Sequence, residues 1–394
     1  MSTTMELLDL FTRWIHVIAG IMWIGNSLLF NWLDRSLVPA NEPGQTGKPV
    51  GTIWLLHSGG FYYVEKTLLE GEKLPAPLHW FMWQAITTWI SGTLLLIVVY
   101  YAGGRATLED PSVAGISHGW AVAIGIAAII GGRTIYDIMQ RAPARAERAA
   151  TAVWVLSLTA IAIALTQVLS GRAAFLHAGA MLATIMAGNL TGTIVPSQKA
   201  LVKSVEGGAT NAAMSAKAKR VSIHNNYFTF PVIALMLSNH FPSIYCNRFN
   251  WLLLLLIVAG GAAARHFLNI RWTYKSWGMG LGATIAETVI LTWVIIGPGS
   301  SRVGQSEAPA GPVDFADVRH VIDRRCAACH SERPSDVTFG VAPAGVMFDT
   351  PSQIEMHAAR IRERAFVTRT MPPANKTRIT DAERAILGAW ASKR

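Results

Sequence analysis

Cysteine is scarce, with three in 394 residues. Two of the three stand close together as Cys326 and Cys329, and the third is Cys246. That leaves no framework of structural disulfides, and no second cysteine pair to complete a zinc site. Charge is scarce too: 15% of residues are charged and 51% are apolar. This balance excludes a disordered chain and an ordinary soluble enzyme, and fits a membrane protein with a modest soluble part. Nothing resembles a cleaved signal peptide, so the first apolar run is expected to act as the insertion signal. Acidic residues are outnumbered 24 to 34, giving a net charge of +10. The basic residues sit in short loops between apolar runs, as topology signals do, so nucleic acid is not an expected partner.

What is present is the run Cys326-Ala327-Ala328-Cys329-His330, the pattern for covalent attachment of c-type haem. The two thiols add to the haem vinyl groups, and His330 ligates the iron from one face. A class I cytochrome c also needs a helix before the motif, a distal methionine loop and a C-terminal helix. Residues 314–325 read as the first helix, with Phe315, Val318, Val321 and Ile322 on one face. Thr370-Met371-Pro372-Pro373 supplies the loop, held stiff by its prolines. Thioether sulfur is a soft axial ligand, and Met371 is the expected one. Met347 lacks the prolines, and Met356 falls in a helical pattern. Thr380 and Glu383 form a capping box that opens a last helix with Ile386, Leu387 and Trp390.

A bilayer core of ~30 Å takes about 20 apolar residues to cross. Eight segments are long enough or nearly so: 8–32, 79–102, 116–138, 151–170, 173–195, 227–241, 249–269 and 278–297. The sixth is short and carries Pro231. Segment 50–70 is apolar but interrupted, and reads as interfacial or re-entrant. Lys and Arg number fourteen in the odd loops and three in the even ones. The positive-inside rule then puts the odd loops in the cytoplasm and both termini outside. The expected fold class is all-α: a polytopic bundle of about eight transmembrane helices followed by a C-terminal class I cytochrome c domain. The expected divisions are a membrane domain over 1–297, a linker over 298–311 and a cytochrome domain over 312–394. The expected location is the bacterial inner membrane, with lipid around the bundle and the cytochrome on the periplasmic side.

Polar groups within spans are costly and are functional candidates by default. Toward the outer half lie His16, His118, His177 and His240. Two of His16, His177 and His118 are candidate ligands of a b-type haem; the plain alternative is hydrogen bonding between helices. Toward the inner half, Arg133 and Asp137 are four apart, either a helix-end ion pair or an anion clamp. His224-Asn225-Asn226 is either a helix cap or a base with amide donors at a cavity mouth. Asn189-Leu190-Thr191-Gly192-Thr193 reads as a polar break in the fifth span. Arg265-His266 is either an anchor or a snorkelling helix end.

The first span, Arg13-Trp14-Ile15-His16-Val17-Ile18-Ala19-Gly20-Ile21-Met22-Trp23-Ile24-Gly25-Asn26-Ser27, continues to Trp32-Leu33-Asp34-Arg35. With Gly59-Gly60-Phe61-Tyr62 and the Cys-Ala-Ala-Cys-His module, it resembles the bacterial membrane-bound cytochrome c urate oxidases over essentially the whole chain. The span alone also resembles small membrane proteins that hold haem b or copper through a first-helix histidine, which favours His16 as a ligand by analogy.

The resemblance implies oxidation of urate to 5-hydroxyisourate. Water supplies the oxygen, and electrons leave through haem c to a soluble periplasmic cytochrome c or a terminal oxidase. A flat purine anion needs a cation, amides and an aromatic wall. Arg133, Asn189, His224 and Asn225 are the candidate catalytic residues, with Trp80 and Trp83 near and His79 a second candidate base. One haem takes one electron, so a second haem between the faces would ease the transfer. The alternative class is a membrane-anchored cytochrome relaying electrons from quinol or another dehydrogenase to a terminal oxidase.

Overall fold

In a bilayer core the backbone has no partner but itself, so apolar runs become helices. The computed structural model describes residues 3–39, 48–69, 74–102, 105–110, 113–205, 212–296, 313–336 and 341–392. The expected linker, 298–311, lies outside them. Helix α1 (Thr3–Ser36) leads into strands β1 (Lys48–His57) and β2 (Gly60–Leu68). There follow α2 (Trp83–Leu95), the short α3 (Arg105–Leu108), α4 (His118–Met139), α5 (Glu147–Val168) and α6 (Gly171–Asn189). Next come α7 (Val195–Val205), α8 (Ala212–Leu237), the short α9 (Pro242–Tyr245), α10 (Asn250–Ile270) and α11 (Trp277–Ile296). The C-terminal part holds α12 (Phe315–Arg325), α13 (Pro351–Met356), α14 (Ala358–Ile361) and α15 (Asp381–Ala391).

Among the described residues, seven helical stretches are long and apolar enough to cross a membrane: Leu7–Ser36, Trp83–Tyr101, His118–Met139, Glu147–Val168, Gly171–Val205, Asn250–Ile270 and Trp277–Ile296. The sixth expected span is corrected here. It belongs to α8, a 26-residue helix whose first half carries Lys217, Lys219, Arg220, His224, Asn225 and Asn226, too polar to count as an apolar span. Helix α8 nonetheless lies inside the bundle, packed on α6 and α10.

Helix α6 is the centre, packing on α4, α5 and α8. Its alanines and glycines let neighbours come close. At Gly171 an added Cβ would lie 1.9 Å from the Tyr245 carbonyl oxygen, and at Gly132 2.4 Å from Met181 Sδ. Tyr136, Trp154, Phe175, Met181, Ile185 and Leu253 form the main buried cluster. Outward side chains such as Trp14, Ile21, Val289 and Trp293 are large, apolar and exposed, as a lipid-facing surface requires. The end of α1 meets the end of α10 through Arg35 and the Asn269 carbonyl, α10 meets α8 through Arg265, Asn269 and Asn226, and Arg220 near the start of α8 meets Gln140 and Glu147 where α4 ends and α5 starts, which groups these at one end of the bundle. This is the basic end.

Within segment 50–70 the interrupted apolar run is a β-hairpin, β1 paired with β2. Ile53 pairs with Val64 and Trp54 with Tyr63 around a Ser58-Gly59 turn, both at positive φ (49° and 77°). Aromatic and β-branched side chains favour strand here, and the two positive-φ residues match the twist of a tight hairpin.

The C-terminal helices have their own core of Val318, Val321, Ile322, Phe348, Ile354, Leu387 and Trp390. Helix α12 starts at the Asp314 cap, and α15 opens with the expected Thr380–Glu383 capping box. The turn Pro373–Asn375, next to Met371, packs on α3 of the bundle.

Candidate functional site

Near the basic end, four helices pool their polar side chains. Arg133 donates from Nη1 to the Ile185 carbonyl at 2.8 Å and to Asn189 Oδ1 at 3.0 Å. Its Nη2 stands 2.7 Å from Asp137 Oδ1. Gly188 makes this possible, since a Cβ there would fall 2.5 Å from the guanidinium carbon. Asn189 is buried and donates from Nδ2 to Tyr136 Oη at 3.0 Å and to Asn225 Oδ1 at 2.9 Å. Asn225 in turn donates to the Met186 carbonyl at 3.0 Å. The Tyr136 hydroxyl lies 2.8 Å from His224 Nδ1. Trp154 closes the group, its ring 5.3 Å from Tyr136 and 5.5 Å from His224.

All four residues singled out at this end, Arg133, Asn189, His224 and Asn225, are thus joined. Their hub is Tyr136, which sequence reasoning missed. Its position three after Arg133, on the same helix face, was the available signal. Directly after Asn189 the helix widens into a π turn, Leu190–Ile194, the expected polar break. The arrangement can hold and pass a proton between Tyr136 and His224. Both Nη1 protons of Arg133 and one on Nη2 go to protein acceptors and the ion pair with Asp137 is formed, which leaves an anion fewer of its five donors. His79 and Trp80 lie elsewhere, on a cavity of about 450 Å³ with Asn26 and Gln84. They are not part of the Arg133 network.

On its next residue, α8 begins a second network. Asn226 Oδ1 accepts from Arg265 Nε at 2.9 Å and from Asn269 Nδ2 at 2.6 Å. Arg265 and Asn269 are buried, and each keeps one buried polar atom without a partner, Nη2 and Oδ1 respectively. A cavity of about 350 Å³ adjoins Arg265, with Trp32, Phe230 and Arg271 on its walls.

At the opposite end, Tyr101 links two of the expected haem-b histidines. Its hydroxyl is 3.0 Å from His177 Nε2, and its carbonyl is 2.9 Å from His118 Nε2. The other nitrogens are also engaged: His177 Nδ1 with the Ala173 carbonyl at 2.8 Å, and His118 Nδ1 with Glu109 at 2.6 Å. His16 is held apart by α2, with Nδ1 3.0 Å from the Thr88 carbonyl and its ring against Gly92. Both ring nitrogens of His177 and His118 have protein partners here, whereas His16 engages only Nδ1. No step is assigned to a second haem.

In the C-terminal part, His330 Nδ1 donates to the Val346 carbonyl at 2.9 Å, which fixes the ring and leaves Nε2 free. A carbonyl on the far nitrogen is the usual way an iron-ligating histidine is oriented. Cys329 is buried, and burial pushes the Cys326 thiol up to about 12. The Met371 loop is pinned on both sides: its N–H donates to the Arg364 carbonyl at 2.9 Å, and its carbonyl accepts from Arg384 at 2.8 Å. Two thiols, an oriented imidazole and a thioether are the donor set that haem c requires, so these residues fit the group.

Long apolar helices around a small-residue core, with polar networks at one end, define a polytopic helical membrane protein. The urate oxidase N-terminal family model matches residues 2–296. The chain belongs to that family. No curated protein and no solved structure matches the chain. The match corrects the resemblance drawn from the first span and the Cys-Ala-Ala-Cys-His module. The family it names is a urate-oxidase-related one, not clearly a cytochrome c one, and its match ends before Cys326 rather than covering the whole chain.

Proposed function

We propose that the helical part oxidises urate to 5-hydroxyisourate and that the electrons leave through a haem c in the C-terminal part. The family match over residues 2–296 is the observation that carries the urate reading. The haem reading rests on Cys326, Cys329, His330 and Met371 alone. Urate and water give 5-hydroxyisourate, two electrons and two protons. When bound, the haem supplies a one-electron acceptor. Cys326 and Cys329 would hold it covalently, and His330 and Met371 would ligate its iron.

The residues of the bundle have a part in proton handling. Asn189 Nδ2 donates to the Tyr136 oxygen, so the hydroxyl donates to His224 Nδ1 and holds that ring as the tautomer with its proton on Nε2. Asn189 orients that hydroxyl, and Arg133 orients Asn189. The loop charges support a cytoplasmic basic end and a haem outside, where a soluble cytochrome c or a terminal oxidase would collect the electrons.

The experiment is turnover by the purified full chain without oxygen, with ferricyanide as acceptor. Urate should be consumed, two ferricyanides should be reduced per urate, and no peroxide should form in air. Cys326→Ser with Cys329→Ser should abolish covalent haem and turnover together. Urate loss that needs dioxygen and yields peroxide would remove the haem from the route.

A further inference from the structure

Arg35, Arg265 and Arg271 gather at the basic end beside α1, α8 and α10. None of them has an ion pair with a carboxylate among the described residues. Arg35 donates to the Asn269 carbonyl and stacks over Trp272 at 5.7 Å; Arg271 stacks over the same ring at 3.8 Å. Both reach toward the surface, where solvent or lipid headgroups satisfy a guanidinium. Arg265 is different, being 4% exposed. It gives Nε to Asn226, lies 5.5 Å over the Phe230 ring, and has no partner for Nη2. A buried cation without a counter-charge is strongly unfavourable unless something anionic completes it.

The space for that anion is present. The cavity of about 350 Å³ is lined by Arg265, Arg271, Asn31, Trp32 and Phe230. This is within the range of small-molecule sites, roughly 300–1,000 Å³. Two of the walls are flat aromatic rings. Arg265 is fixed at the cavity wall by its bond to Asn226 Oδ1, and Arg271 adds a second guanidinium to the lining. A guanidinium and aromatic faces complement a planar anion.

We infer that this cavity binds the urate monoanion, with the guanidiniums of Arg265 and Arg271 facing its charge and Trp32 and Phe230 covering the ring. This rests on the urate reading above, and it moves the anion site from Arg133 to the opposite side of α8. The two networks meet at adjacent residues: Asn225 serves Asn189, and Asn226 serves Arg265. Filling the cavity therefore bears on the helix that carries His224.

The test is urate binding to the dithionite-reduced full chain, which cannot accept electrons and so does not turn the ligand over. The protein sits in nanodiscs of zwitterionic lipid, and tryptophan fluorescence reads the titration. Arg265→Gln and the less buried Arg271→Gln should each raise Kd by roughly 10- to 100-fold, the loss of one charge-assisted hydrogen bond or ionic contact. Arg360→Gln, on the exposed face of the C-terminal part, should leave Kd unchanged. If the parent chain oxidises urate while both cavity variants bind it as the parent does, the location is wrong and the urate function stands. Displacement of urate by adding anionic lipid to the nanodisc would make this a headgroup site and overturn the inference. A parent chain that neither binds nor oxidises urate would overturn both readings.

Discussion

Replacing Tyr136 by Phe removes one oxygen from the centre of the Arg133 network and changes little else. Two contacts go with it: the bond from Asn189 Nδ2 at 3.0 Å and the bond with His224 Nδ1 at 2.8 Å. Asn189 keeps a partner through Asn225, whereas His224 Nδ1 has none left among the described residues. Hydrogen bonds inside membrane bundles average about 0.6 kcal/mol, with a maximum near 1.7. A buried group left without a partner costs about 1–3 kcal/mol. Two ordinary bonds plus one partly buried orphan give a loss of about 1–3 kcal/mol. The ring stays, so packing against Trp154 is kept and no cavity larger than a hydroxyl opens. Reversible unfolding in mixed micelles measures the loss, and a double-mutant cycle with Asn189→Leu isolates the shared bond. Coupling of about 0.5–1.5 kcal/mol is expected. Additivity within about 0.3 kcal/mol would mean that the hydroxyl and the amide do not meet, and the network would have to be redrawn. Turnover gives an independent reading: if Tyr136 and His224 pass a proton, the variant loses kcat more than it changes KM.

Other substitutions bear on separate parts of the account. Gly171→Ala would place a methyl 1.9 Å from the Tyr245 carbonyl oxygen, a backbone atom, and should cost about 1–3 kcal/mol. Gly131→Ala, with nothing within 4 Å, should be neutral or stabilising by up to about 1 kcal/mol in the same unfolding assay. Glu383 has its carboxyl pushed up by burial but pulled further down by Arg325 and the Thr380 N–H, and ends below the usual 4.5. A lowered folded pKa stabilises above the unfolded value and is lost as pH falls through the folded one. Glu383→Gln should therefore destabilise the C-terminal helices by about 1–2 kcal/mol at neutral pH. That difference should close in melts below about pH 4.5. Gly59→Val, at φ 77°, should loosen the hairpin by about 1–2 kcal/mol, read as faster proteolysis near the turn.

Helix content was legible because a bilayer leaves the backbone few choices: apolar runs such as 278–297 and 249–269 reappear as α11 and α10 within a residue or two. Helix α8 was misjudged because its polar residues face a protein interior rather than lipid, and hydropathy alone cannot distinguish those surroundings. The hairpin was missed because its pattern was weighed as apolar length, when Ser58-Gly59 between two aromatic runs was the stronger cue. The Arg133 cluster was legible residue by residue, since each member is costly in a span. Its closure was not, because whether an arginine is open or spent depends on which carbonyls, here Ile185, stand opposite. Arg265 was visible in the sequence, yet a snorkelling end and a buried unpaired cation look alike until depth is known. The surroundings of the outer histidines were not legible for a related reason: Tyr101 and Glu109, neither singled out beforehand, hydrogen-bond the nitrogens of His177 and His118.

The most direct test of the central claim is an anaerobic titration of the oxidised, purified full chain with urate, followed in the haem absorbance. The expected result is a reduced haem c band that grows linearly to saturation at one urate per two haems, with 5-hydroxyisourate formed in the same ratio. A band that stays oxidised with urate but appears on adding quinol would contradict the account and make the chain an electron carrier.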